Sequence, residues 1–166
     1  MGQVISGDGT AIAYERVGSG PAVILVDGAL GHRALYGQRA LAEALRPHLT
    51  AITYDRRGRG ESADTPPYAP EREIEDLAAL IGASGPAGLY GVSSGAVLAL
   101  RAAAALGPAR VPRLALYEPP LDAPDDDEAQ DAYARYVERV DRALAGGRRD
   151  EALEIFLGDM LPPEEI

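Results

Sequence analysis

The stretch Ala87-Gly88-Leu89-Tyr90-Gly91-Val92-Ser93-Ser94-Gly95-Ala96 decides how the rest of the chain is read. Ala87 to Val92 predicts a strand, and the almost wholly apolar, Ala-rich run from Ala96 to Leu106 predicts a buried helix. Only a few residues separate the two, so Ser93 falls on a tight strand-to-helix turn. Such a turn pushes the hydroxyl out above the sheet, and glycine is needed at 91 and 95 because larger side chains would collide at so sharp a bend. The N–H of Ser94, at the helix start, then points where negative charge would develop on an attacked carbonyl, and the helix dipole adds partial positive charge there. That is half of an oxyanion hole. The competing reading is a helix N-cap serine after a glycine turn.

On either side of this turn, strands alternate with amphipathic helices, the pattern of an α/β fold with a mostly parallel, twisted sheet and helices on both faces. Ala11 to Val17 predicts a strand, with a short partner at Gln3 to Ser6. Ala22 to Val26 is a continuous apolar run, expected to be buried on both faces, and it stops at Asp27-Gly28. Leu35, Leu41 and Leu45 form a helical stripe, Thr50 to Tyr54 a short strand, and Glu71 to Ile81 a helix with Ile74, Leu77, Ala78 and Ile81 on one side. Leu114 to Tyr117 is the last predicted strand. From Glu118 to Asp127 the chain is rich in Pro and Asp, as a linker is, and two polar amphipathic helices follow, joined at Gly146-Gly147. Tyr133, Tyr136, Val137, Val140 and Leu144 are expected to share a face of the first, and Leu153, Ile155, Phe156, Leu157 and Met160 a face of the second. The expected organisation is a sheet-bearing core over 1–121 and a helical lid segment over 122–166.

With 166 residues the chain is long enough for one domain with a real core. The formal charge of −10 would repel a phosphate backbone, so nucleic acid is not an expected partner. All 16 basic side chains are Arg. Without lysine there is no Walker-type phosphate loop, no Schiff-base amine and no Ser-x-x-Lys pair. The absence of Cys removes disulfides and thiolate chemistry. No basic-then-apolar leader opens the sequence and no apolar run approaches the ~20 residues of a membrane span, so a soluble, cytoplasmic protein without membrane partners is expected.

Three segments, in order and at matching intervals, resemble the N-terminal portion of the α/β-hydrolase-fold superfamily. Asp27-Gly28-Ala29-Leu30-Gly31-His32 stands where that family has His-Gly and a loop supplying the second oxyanion amide; the match assigns this donor to the N–H of Ala29. Asp55-Arg56-Arg57-Gly58-Arg59-Gly60-Glu61-Ser62 resembles the family's Asp-x-Arg-Gly-x-Gly-x-Ser loop, and Gly91 to Gly95 its nucleophile elbow. The likeness spans roughly 7–121 and extends more loosely over the tail as a lid. It implies a serine hydrolase of the carboxylic-ester type, with Ser93 attacking a small ester or acyl compound and no cofactor or metal. Relatives of this fold also carry out cofactor-free peroxidation and C–C cleavage. Asp27 replaces the usual His, which braces the loop. Asp55 is read as structural, its carboxylate binding its own turn amides. Arg56, Arg57 and Arg59 are read as paired or solvated rather than as an anion site.

A serine hydroxyl needs a positioned base, and the base needs an acid to hold its tautomer. The family order is Ser, then acid, then His. His32 and His48 both precede Ser93. His32 is a weak candidate base, more simply a residue of its loop or helix start; His48, after Pro47 and before a strand, is placed at the far end of the sheet. Glu118, following the last strand, is a weak candidate acid. Asp122, Asp125, Asp126, Asp127 and Glu128 lack the glycine turn and distal Glu of a calcium loop and are read as linker and helix-start charge.

The sequence is therefore expected to stop inside the lid, and three explanations compete: a fragment of a longer enzyme, a half-enzyme completed by another chain, or a non-catalytic relative that binds a small molecule. At most slight esterase activity is expected without an added histidine source. A last strand paired on one side only leaves a sheet edge through which a second copy or a complementing chain could associate.

Overall fold

The computed structural model describes residues 1–35, 38–121 and 127–160. In chain order the elements are β1 (Gly2–Ile5), β2 (Ala11–Val17), β3 (Ala22–Val26), α1 (Gln38–Leu45), β4 (Thr50–Tyr54), α2 (Pro70–Ser84), β5 (Ala87–Val92), α3 (Ser94–Leu106), β6 (Leu114–Tyr117), α4 (Asp127–Ala145) and α5 (Arg149–Met160). The six strands form one sheet in the order β1-β2-β4-β3-β5-β6. The β4-β3-β5-β6 half is parallel, while β1, β2 and β4 pair antiparallel, so the sheet is mixed, with its parallel part where the site-bearing turns lie.

Side-chain alternation on the central strands divides the core in two. Ile24 of β3 stands between Ile52 of β4 and Leu89 of β5, and this row, with Val26, Tyr54 and Ile12, packs under Leu77, Leu80 and Ile81 of α2 and Leu98, Ala99 and Ala102 of α3. Leu25, one residue on, faces the other way with Ala51, covered by Ala42, Leu41 and Leu45 of α1. Helices thus cover both faces, as expected.

Three local readings are corrected. Leu35 lies outside α1, in a turn where it bridges His32, because the helix begins only at Gln38. The first strand runs over Gly2–Ile5, one residue earlier than Gln3 to Ser6. α3 is buried on one side only: Ala96, Leu98, Ala99 and Ala102 face the sheet, while Leu100, Arg101, Ala104 and Ala105 are exposed. Alanine costs little in water, so an Ala-rich run does not report burial all round.

The chain divides into two compact units at Leu121. In the second, α4 and α5 pack on each other through the Gly146-Gly147 joint, with Ala143 and Ala152 buried and Tyr133 stacked on Tyr136 at 6.1 Å. Tyr133, Val137, Leu144 and Leu153 remain exposed.

Candidate active site

Strand order positions the site. From β3 the chain passes through α1 to β4 on one side, then through α2 back across to β5 on the other, so the loops leaving β3 and β5 diverge at the carboxyl ends of two adjacent parallel strands. Crevices in open α/β sheets form at such a point. Val26 is in register with Gly91, which brings the Asp27–Leu30 loop beside the turn at Ser93.

Ser93 sits at that turn with φ 52° and ψ −125°, a left-handed conformation costing a non-glycine residue about 1–3 kcal/mol. It occupies the N-cap position of α3, yet its hydroxyl makes no capping hydrogen bond, which removes the capping explanation for the serine. Its N–H donates to the Tyr117 carbonyl at 2.9 Å, tying the turn to the end of β6. The neighbours leave no room for a side chain at Gly95 and little at Gly28. A methyl group on Gly95 would collide with the Asp27 and Val26 carbonyls, and one on Gly28 would lie 3.4 Å from Ser93 Cβ and 3.9 Å from its Oγ. Close backbone approach thus joins the two loops. Among the described residues, neither the Ala29 nor the Ser94 N–H donates to a main-chain acceptor outside the regular elements. Ala29 is exposed and Ser94 half-buried.

The remaining candidates are placed less favourably. His32 is held in its own turn: its carbonyl accepts from Leu35 N–H at 2.8 Å and its Nδ1 from Ala34 N–H at 3.4 Å. It lines a cleft of about 250 Å³ with Glu15, Arg33, Arg39 and Glu61, and Ser93 is not among the lining residues. α1 begins six residues on, so the helix-start alternative for His32 is set aside. His48 is exposed before β4, at the amino end of the parallel strands, opposite Ser93. Glu118 follows Tyr117 with φ 47°, so its main chain passes beside the turn at Ser93 while its side chain is exposed. Of the acidic linker, Asp122, Asp125 and Asp126 lie outside the described residues; Asp127 and Glu128 are exposed in the first turn of α4.

The loop after β4 organises the charges. Asp55 accepts from Arg33 N–H at 2.8 Å and Glu61 N–H at 2.9 Å and is paired with the Arg33 guanidinium, so it braces loops as its sequence context suggested. Burial alone would raise its carboxyl, and these bonds outweigh it, leaving the group below its ordinary value. Arg56 forks onto Glu73 through two 2.6 Å bonds and also donates to the Asp27 carbonyl at 3.1 Å and Ser94 Oγ at 3.4 Å, spanning the two loops of the site. Arg57 forks onto Asp76 and reaches Asp8. These pairs are buried, not solvated. Arg59 donates to the Gly28 carbonyl at 3.1 Å. Asp27 is buried, and desolvation pushes its carboxyl above its ordinary value against the opposing pull of the Gln38 side chain and the Arg56 and Arg59 charges. Glu73, Asp76 and Gln38 were not singled out from the sequence. One signal was available, since Glu73 and Asp76 share the helical face of Leu77 and Leu80, where an unpaired carboxylate would be costly.

Comparison with known proteins agrees with this architecture. The model of the alpha/beta hydrolase family matches residues 22–165. An alpha/beta hydrolase from Sphaerobacter thermophilus is 50% identical, with a TM-score of 0.82 over 98% of this chain and 62% of that one. A thermophilic esterase from Thermogutta terrifontis is 32% identical, with a TM-score of 0.67 over 84% of this chain and 52% of its own. A pimeloyl-[acyl-carrier protein] methyl ester esterase of Xylella fastidiosa is 33% identical over 79% of this chain. The chain spans 54% of the length of that curated relative. No helix among the described residues is long and apolar enough to cross a membrane. On the family match and these relatives together, the chain belongs to the alpha/beta hydrolase family.

Proposed function

We propose that the chain carries the nucleophile and oxyanion-binding half of an ester-hydrolysing site for a small ester or acyl compound. Ser93 Oγ, giving its proton to the base, attacks the ester carbonyl carbon while the Ala29 and Ser94 amides receive the developing oxyanion; the ester C–O bond breaks, the alcohol leaves with that proton, and water then cleaves the acyl–Oγ bond to release the acid and restore the serine. The observation that carries this reading is Ser93 itself: a left-handed, non-capping serine between β5 and α3, closed in by Gly28 and Gly95. Strain of this kind persists where the surroundings over-determine it. Relatives named as esterases support the ester bond as substrate.

The base is a histidine outside these 166 residues, because His32 is engaged in its own turn and no histidine follows Ser93 in the sequence. A second reading, that another chain completes the site, is favoured by β6: among the described residues it pairs only with β5 and leaves Leu114 and Tyr117 exposed along its length. The test supplies the missing base in solution. Imidazole should accelerate hydrolysis of a short p-nitrophenyl ester above the protein-free rate, Ser93→Ala should abolish the increment, and His32→Ala should retain it. An increment that survives Ser93→Ala would overturn the assignment.

A further inference from the structure

Arg59 is the arginine of its loop that lacks an acidic partner. Arg56 is forked onto Glu73 and Arg57 onto Asp76, whereas among the described residues Arg59 forms no ion pair. It is half-buried nonetheless, and burial, with the neighbouring Arg56 charge, pulls its guanidinium below the ordinary value. An arginine remains charged under such pressure, so a cation that Glu73 and Asp27 offset only at longer range is held at the edge of the site. Its guanidinium makes one hydrogen bond among the described residues, and that bond is informative. Arg59 Nη1 donates to the Gly28 carbonyl at 3.1 Å, and that carbonyl belongs to the same peptide group as the N–H of Ala29. In a trans peptide, as this one is, C=O and N–H point in opposite directions. A cation gripping the oxygen fixes the rotation of the plane and withdraws electron density through the amide, making the N–H a stronger donor. Arg56 acts on the preceding peptide, holding the Asp27 carbonyl, and is itself locked by Glu73.

We propose that Arg59 is a positioning residue for the oxyanion site: by holding the Gly28 carbonyl it turns the Ala29 N–H toward the space above Ser93 and polarises it. This rests on the reading of Ser93 and Ala29 given above. It assigns a role to an arginine whose neighbours Arg56 and Arg57 serve in buried ion pairs.

The two claims separate in one nuclear magnetic resonance experiment on the full 166-residue chain and its Arg59→Gln and Arg59→Lys variants, free and with phenylboronic acid as the probe. In the free protein, Arg59→Gln should move the Gly28 carbonyl carbon upfield while the amides of β3 to β5 keep their positions; Arg59→Lys should restore part of the shift. No difference at Gly28 overturns the proposal. With the boronic acid, whose tetrahedral adduct on Ser93 places an oxygen in the oxyanion site, the Ala29 and Ser94 amide protons should both move downfield in the unsubstituted protein. In Arg59→Gln the Ser94 response should persist and the Ala29 response should be lost. An undiminished Ala29 response overturns the role of Arg59 alone. If neither amide responds in the unsubstituted protein while the free-state Gly28 shift depends on Arg59, the reading of Ser93 fails and takes the role of Ala29 with it.

Discussion

Arg57 and Arg142 are the same side chain in two situations. Arg57 is 1% exposed and meets Asp76, equally hidden, and Asp8, residues brought to it by α2 and by the turn before β2. Arg142 is 66% exposed and meets Glu138 one turn earlier on α4. The buried pairs of the sheet-bearing unit join segments distant in sequence, so each arginine there fixes where a loop lies. The pairs of the helical unit are local, and water replaces either partner cheaply. The sheet-bearing unit therefore uses some arginines as tertiary clamps, beside exposed local pairs such as Arg46 with Glu43 and Arg72 with Glu75, whereas Arg142 and Arg148 of the helical unit carry solvated surface charge.

Arg57→Met gives the largest expected effect, because it strands Asp76 in the interior: a loss of about 3–5 kcal/mol in urea unfolding. Replacing both partners, as Arg57→Met with Asp76→Leu, should recover most of that loss, and a single variant costing under about 1 kcal/mol would erase the contrast. A smaller effect comes from acid. For Glu73, burial would raise the carboxyl, but the Arg56 bonds reverse this and leave it below its ordinary value of 4.5. The folded state consequently binds fewer protons than the unfolded one. The stability contributed by Glu73 is complete above pH 4.5 and drains as pH falls through the depressed folded value. Glu73→Gln should flatten the fall in unfolding midpoint over that acid range; an unchanged slope would remove Glu73 as its source. The smallest effect is Arg142→Ala, about 0.3–0.5 kcal/mol and weakened further by salt in the same urea assay. A cost as large as that of Arg57→Met would mean that α4 is clamped as tightly as α2.

This division explains what could be read from the sequence. β2, β3, β4, β5 and β6 carry the bounds expected for them, since short apolar runs between turn residues leave few alternatives, and the Ser93 turn follows from that placement. Asp55 was legible as a brace because one of its two amide partners, Glu61, lies in its own loop, whereas the other, Arg33 in the loop after β3, had no local signal. The pairings of Arg56 with Glu73 and Arg57 with Asp76 were not legible as pairs: ion-pair geometry is a property of packing, and nothing local to Arg56 names a carboxylate on the following helix. Leu35 failed for a related reason, since periodicity counts an apolar residue into a stripe without regard to the turn that His32 and Leu35 close. The contact from Arg59 to the Gly28 carbonyl has no sequence signature, because it depends on two loops meeting over the sheet.

The place of β3 has a consequence for how the molecule is made. Its Ala22 meets Thr50 on one flank and Ala87 on the other, so the central strand waits for a partner that is synthesised much later. A nascent chain that has emerged only to Ser62 can pair β1, β2, β4 and β3, but the second flank of β3 is bare and the helices α2 and α3 that roof that face do not yet exist. Distant pairing of this kind slows folding and leaves an edge open to unwanted strands in the interval. Whatever the order in which the strands meet, the Ser93 turn reaches the Asp27–Leu30 loop only once β5 has docked on β3, and the interior closes only when α3 has followed it.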